Sequence, residues 1–410
     1  MSEARATLFR GTRWAGIGQV VTFALTIAAA AQLGRQLGFE DFGRFAALQG
    51  AMLISVGLWD LGGTVLVGRQ VAAHHWFSPD AILSWARARL LTSPIFLVAV
   101  LLAGWAASAA FPLAVPVLLA VAALLRAVWT VMDAACRSRR EFAAASSYLL
   151  TGRLTFNVLL LFSTGTTTQR AVFAAGSVAL AELVSVSLHI GRLVWIARTP
   201  HIVPGKVPGV IEFLRTSLPF AGVGMINLAY NKIDVPLVGV LGSPTALAEY
   251  APASRIQDAL SQVPAVASSA MLPALAASPT VDGARDTVRT GIRLALLLAI
   301  PAVAIVVIFA GQIVAVLFGP GFSEAALPTR IIALAVIPTA MTQPLVSAGF
   351  FFGRGTQLTR AFSVGLVFAL IGYVAVVPWG GAVGAAVVTV FREVVTCAGC
   401  LFVVNKTLRA

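Results

Sequence analysis

Long apolar runs recur along this chain from end to end, and they decide what it can fold into. Twelve lie near 13–34, 43–67, 88–109, 113–134, 142–164, 169–196, 215–241, 246–277, 291–318, 326–350, 357–379 and 381–404. As helices they are long enough to cross roughly 30 Å of hydrocarbon. The stretches between them are too short for a soluble domain. Charge points the same way: charged residues make up 11% of the chain and apolar residues 59%, whereas soluble domains carry about 25% and about 45–50%. So little charge cannot cover that much apolar surface in water. The sequence predicts an all-α integral membrane protein with twelve spans.

Basic residues set the topology. With the N-terminus in the cytoplasm, the segments expected inside carry most of the Lys and Arg, among them Arg10, Arg69, Arg87, Arg89, Arg137, Arg198, Arg285 and Arg409. The opposite loops hold only Arg35, Arg44, Arg170 and Arg330. That positive-inside bias places both termini in the cytoplasm. The net charge of +13 is then a matter of topology and of attraction to anionic headgroups. It is no sign of nucleic acid, which would call for aromatic platforms or a recognisable binding module.

Catalytic and metal motifs are missing from the pattern. "CAGC", ending at Cys400, sits in an apolar helix with no strand before it, so its cysteines read as small packing residues. His74, His75, His189 and His201 have no paired-ligand spacing, and no nucleophile elbow, P-loop or dinucleotide fingerprint occurs in a fitting context. The chain reads as a non-enzyme with no metal and no cofactor.

It also repeats. "LGRQLGFEDFGRFAAL" follows the first run and "LVGVLGSPTALAEYAPA" the seventh; "RARLLTSPIFLVAV" opens the third and "RTGIRLALLLAIPAVAI" the ninth. Two six-span halves point the same way, a parallel repeat about an axis along the membrane normal. The expected organisation is a lobe at 1–197, a cytoplasmic linker at 198–214 and a second lobe at 215–410. Such folds place substrate between the halves near the midplane.

Polar residues inside the runs fall in stripes at helical spacing. The seventh run gives Asn227, Tyr230, Asn231 and Asp234, with Lys232 about 100° away and placed to snorkel. The eighth gives Arg255, Asp258 and Gln262. The second gives Asp60 and Thr64; the fourth Arg126, Thr130, Asp133 and Arg137; the fifth Arg153 and Asn157; the sixth Glu182, Ser185 and His189. The twelfth gives Thr389, Arg392 and Thr396, with Glu393 beside them. A buried charge costs about 2.5–3.5 kcal/mol on insertion scales, so the stripes must face one another or water. Near-equal numbers of acidic and basic residues point to structural pairs for Asp60, Asp133 and Glu393, and to a pair of Arg255 with Asp258.

"LGFEDFGRFAAL", "INLAYNKIDVPLVGVLGSPTALAEYAPASRIQDALSQVP", "LFGPGFSEAALPTRIIALAV" and "GGAVGAAVVTVFREVV" resemble, in order and over essentially the whole chain, the polysaccharide-transporter or O-antigen flippase branch of the multidrug/oligosaccharidyl-lipid/polysaccharide exporter superfamily. The resemblance implies a V of two six-helix lobes that opens alternately to either side of a bacterial inner membrane. It implies a flippase for a polyprenyl-diphosphate-linked oligosaccharide, working among membrane lipids and alongside glycosyltransferases and a glycan polymerase. "YAPASRIQDALSQVP" is similar to the motif in which lipid II flippases hold the lipid's diphosphate with an arginine, which maps onto Arg255. Arg153, Arg392 and Arg126 are further candidate contacts, with Asn227, Tyr230 and Asn231 lining the cavity. Asp234, Asp258, Asp60 and Glu182 are candidates for ion coupling or structural pairing. Some lipid II flippases bind sodium near the equivalent of Asp234, but the eleventh run here has no Asp, Asn or Glu. A multidrug/cation antiporter of the same superfamily would want an acidic, aromatic cavity, against which the buried arginines argue. A membrane sugar polymerase or ligase would want a long outer loop with catalytic polar residues.

Overall fold

The computed structural model describes residues 21–22, 24–64, 66–67, 86–87, 89–93, 111–138, 141–197, 210–265, 268, 271, 275 and 281–409. Most of the expected third run, the start of the first, much of the end of the eighth and the linker at 198–209 lie outside them. Helix dominates the described residues, and no strand occurs among them. Five of the described helices are long and apolar enough to cross a membrane, or six if one bent pair counts as a single span. The protein is a multi-pass membrane protein.

Compact grouping of the backbone gives two units that cut across chain order. One takes Met1–Ala29 and Leu48–Leu228; the other takes Ala30–Ala47 and Ala229–Ala410. Helix α1 spans 24–37 and is followed by α2, Phe39–Asp60. Gly38 turns the chain between them at φ +80°, its N–H reaching the Gly34 carbonyl at 3.0 Å. A side chain at that φ is strained, whereas glycine accepts it.

In the first unit, α3 (Ala114–Ser138), α4 (Phe142–Leu160) and α5 (Thr167–Ala197) form the described frame, with α5 packed on both of the others. Their buried positions are rich in alanine: Ala122, Ala123 and Ala127 on α3, Ala171, Ala174 and Ala175 on α5. A Cβ at Gly152 of α4 would stand 3.1 Å from the Ala181 carbonyl of α5. Lipid tails are as apolar as the helices, so association rests on such close approach of small residues.

In the second unit, the seventh apolar run is broken. Helix α6 (Val210–Lys232) stops, Ile233 intervenes, and α7 (Asp234–Leu241) begins. Pro236 has no N–H to offer the Lys232 carbonyl, and its ring crowds that carbonyl. Helix α8 (Pro244–Leu260) starts with Ser243 as cap, accepting from the Ala246 N–H at 3.0 Å, and with proline at its first position. Helix α9 (Val281–Phe318) leads through a 3₁₀ turn at Pro320–Ala325 into α10 (Ala326–Ala333) and α11 (Val336–Phe351). The 3₁₀ turn with α10 and α11 forms the bent pair, at 41°. Helix α12 (Gly355–Arg409) holds both last apolar runs, and Gly381 at φ 53° breaks it where they meet.

The segment Ala30–Ala47 is built into this second unit. Phe39 and Phe42 meet Phe322 with ring centres 5.2 and 5.8 Å apart, and Phe42 lies 5.5 Å from Phe318. A Cβ on Gly43 would come within 2.8 Å of backbone atoms of Ala248, so α2 and α8 touch main chain to main chain. Arg35 donates to the carbonyls of Val316 and Leu317, which the end of α9 leaves without helical partners. Outward-facing Leu297, Ile305 and Ile308 of α9 and Val364, Val367 and Ile371 of α12 are exposed, as a hydrocarbon solvent permits.

Candidate functional site

Buried charge in the first unit is organised by α3 and α5, whose polar stripes face each other. Arg126 donates to Glu182 at 3.0 Å, and the Trp129 indole N–H takes the other oxygen of the same carboxylate. One turn on, Arg137 donates to Asp133 at 2.7 Å, and His189 stands 3.9 Å from the second Asp133 oxygen. On another flank of α3, Arg89 is 2% exposed. It pairs with Asp60 and donates to the Ala127 carbonyl and, at 2.9 Å, to Thr130. Arg89 is thus a strut between helices, its two terminal nitrogens held by Asp60, the Ala127 carbonyl and Thr130, while its Nε has no partner among the described residues. Asp60 in turn accepts from the backbone and hydroxyl of Thr64. Asn157 donates to the carbonyls of Leu25 and Arg153 and acts as a bolt between segments. Arg153 itself is half-buried on α4.

The second unit holds two polar clusters beside the broken seventh run. Asp234 opens α7, where the helix dipole favours a carboxylate, and only 4% of it is exposed. Its Oδ2 accepts from the Tyr250 hydroxyl at 3.0 Å and the Ser254 hydroxyl at 3.2 Å. Tyr250 also meets Thr389 at 2.9 Å, and Tyr373 meets the same Thr389 at 2.8 Å. Beside it, Arg392 donates to the Tyr230 carbonyl at 2.6 Å and to Glu393 at 2.8 Å, with its guanidinium 4.4 Å from the Tyr230 ring centre. Thr339 donates to the other Glu393 oxygen at 3.0 Å. The first cluster joins α7, α8 and α12, and the second joins α6, α11 and α12.

This geometry decides several expectations. Lys232 is no free snorkel: its ammonium lies 2.7 Å from Asp258, an ion pair that joins α6 to α8. Tyr230 and Arg392 are brought together, but both are buried, and Arg392 already has a carboxylate. Arg126 is likewise committed to Glu182. Arg255 is half-buried on α8 and Asn231 is exposed on α6; Asn227 lies on α6, its side chain outside the described set. The oxygens around Asp234 are hydroxyls, of which two donate to one oxygen of its carboxylate. The eleventh run contributes the Tyr373 hydroxyl in place of a carboxylate or amide. Sequence reasoning singled out Asp234 and Thr389 but missed Tyr250, Ser254 and Tyr373, since stripes were drawn from charge and amide. The signal available was that two of the four tyrosines in the chain lie in the eighth and eleventh runs.

Comparison with known proteins fits this architecture. The family described as "polysaccharide biosynthesis protein" matches residues 32–327. Among solved structures, the lipid II flippase MurJ in an inward closed conformation superposes with a TM-score of 0.77 at 11% identity, covering 95% of this chain and 87% of MurJ. An inward-facing multidrug resistance MATE transporter of the MOP superfamily gives 0.70 at 16% identity, covering 95% of each chain. A MOP superfamily transporter from Pyrococcus furiosus gives 0.59 at 16%, covering 98% of this chain and 96% of its own. At these identities the likeness shows the fold, and the chain has it. No curated protein matches by sequence.

Proposed function

The chain belongs to the polysaccharide biosynthesis protein family, and from that premise we propose that it flips a polyprenyl-diphosphate-linked oligosaccharide across a bacterial inner membrane by alternating access. The family match carries the reading, because the fold alone is common to a lipid II flippase and to multidrug transporters. The sugar-diphosphate head would pass through a polar cavity between a lobe at 1–197 and a lobe at 215–410 while the lipid tail stays in the bilayer. Both termini are placed in the cytoplasm, with glycosyltransferases and a glycan polymerase as neighbours in the assembly of surface glycan.

Arg255 is assigned to the diphosphate. It is half-buried, so part of its guanidinium can be reached, and the fork pairs bidentately with phosphate oxygens and stays charged. Arg153 of the other lobe is the second contact, with Asn227 and Asn231 lining the path. Arg392 and Tyr230, Arg126 and Glu182, and Lys232 and Asp258 support the helices that carry these residues. The test is glycan export in a deletion strain complemented with each variant, with membrane protein level followed by blot. Arg255→Ala should abolish export at normal abundance, and Arg255→Lys should lose most of it, since an ammonium cannot reproduce the fork. Full export by Arg255→Ala would remove Arg255 from the site. A chain that restores no glycan export but confers resistance to cationic drugs would establish the antiporter reading instead.

A further inference from the structure

We propose that His189 and Asp133 form a buried proton-binding site between α5 and α3 of the first unit. The imidazole is fully buried. Its Nδ1 lies 2.7 Å from the Ser185 carbonyl. A carbonyl oxygen only accepts, so Nδ1 carries a hydrogen and donates. In a neutral imidazole that leaves Nε2 with a lone pair and no hydrogen. Among the described residues Nε2 has no hydrogen-bond partner, nor has the Asp133 oxygen it faces. Two acceptors therefore confront each other across 3.9 Å, too far for a hydrogen bond and repulsive in apolar surroundings. One proton resolves both at once: it binds Nε2, and the N–H donates to Asp133 Oδ1. Nothing else is consumed or released.

Trp129 of α3 stacks on the imidazole, ring centres 5.6 Å apart and 23° from parallel, and Tyr148 of α4 meets its face edge-on at 5.1 Å. Both rings pack against the imidazole, and a carboxylate oxygen, Asp133 Oδ1, stands 3.9 Å from Nε2. The charged and titratable groups on the elements around the pair are accounted for. From α3, Arg137 is bonded to the far oxygen of Asp133, Arg126 is bonded to Glu182, and Cys136 is a buried thiol outside any disulfide. On α5 itself, Glu182 is held by Arg126 and Trp129, and Arg192 pairs with Glu141, just before α4, at 3.0 Å. Every neighbouring carboxylate thus has a cation, and only the facing edge of Asp133 is left to a proton. Binding draws Nε2 and Oδ1 from 3.9 Å to about 2.8 Å, a pull of about 1 Å between two packed helices. Proton occupancy and the α3–α5 packing are thereby linked, whatever the chain carries across the membrane.

The experiment uses the full chain in lipid nanodiscs with His74, His75 and His201 replaced by Gln, so that ¹⁵N-labelled histidine reports on His189 alone. The expected result is that the Nε2 signal changes from the lone-pair to the N–H type as pH is lowered from 8 to 5, with one proton bound. In Asp133→Asn, whose amide donates to Nε2 without a proton, that change should be lost. Retention of the lone-pair signature down to pH 5 in the parent would overturn the proposal. So would identical titration of parent and Asp133→Asn. If Asp133→Asn does not fold, the parent titration decides alone.

Discussion

Replacing Asp60 by Asn tests whether the interior charges are struts. The substitution keeps the shape and one acceptor oxygen but removes the charge opposite Arg89. Breaking a buried pair by removing one partner costs about 3–5 kcal/mol, because the other charge is left uncompensated. Two features of the structure lower that figure. The Asp60 side chain is 19% exposed, so some solvent reaches the pair. Arg89 also retains the Ala127 carbonyl, Thr130 and, at 3.3 Å, Thr64 as neutral acceptors. The expected loss is about 2–4 kcal/mol, read from denaturant titration of the purified protein in mixed micelles. The reverse deletion, Arg89→Met, should cost less, since Asp60 keeps the Thr64 N–H and hydroxyl. The double variant Asp60→Asn with Arg89→Met should be more stable than the sum of the single losses implies, because the orphaned guanidinium is gone. Strict additivity, or a loss below about 1 kcal/mol for Asp60→Asn, would refute the strut.

Gly43→Val should separate α2 from α8, since its first side-chain carbon would already fall 2.8 Å from Ala248 backbone atoms that cannot step aside; a loss of about 1–3 kcal/mol or more is expected by the same titration. Glu393→Gln should be worse than Arg392→Met, because it strands a guanidinium that is only 3% exposed; comparable unfolding midpoints would contradict the pairing seen at 2.8 Å.

Much of the fold was legible because hydrocarbon imposes length and apolarity on every span. The meeting of the last two runs near residue 380 is visible as a gap of polarity at Pro378–Gly381, and α12 breaks at Gly381. The crowding of Asn227 to Asp234 marked a special place in the seventh run, and Pro236 inside it explains the break. The facing stripes of α3 and α5 were also readable, since period alone put Arg126 and Asp133 on one face and Glu182 and His189 on another. Partner choice was not readable. Spacing along one helix cannot reveal that Lys232 of α6 reaches Asp258 of α8. The basic residue Arg89 lies at the edge of an apolar run, and only tertiary contact tells a strut from a loop charge. Membership of Ala30–Ala47 in the second unit was hidden for a related reason. It rests on glycines and phenylalanines that match the surface they meet, and nothing in their own sequence names that surface.

Pairing also sorts the arginines proposed to meet a diphosphate. To engage a phosphate, Arg392 would have to give up Glu393 or hold both anions at once beside Tyr230. Leaving either member of such a pair uncompensated costs about 3–5 kcal/mol, while a charge-assisted hydrogen bond returns about 1.5–3 kcal/mol. Recruitment of Arg392 is therefore unfavourable unless two such bonds form and Glu393 takes a proton. The same balance holds for Arg126 against Glu182, whose second oxygen is further fixed by Trp129. Both arginines are better suited to keeping helix faces in register than to binding and releasing cargo on every cycle.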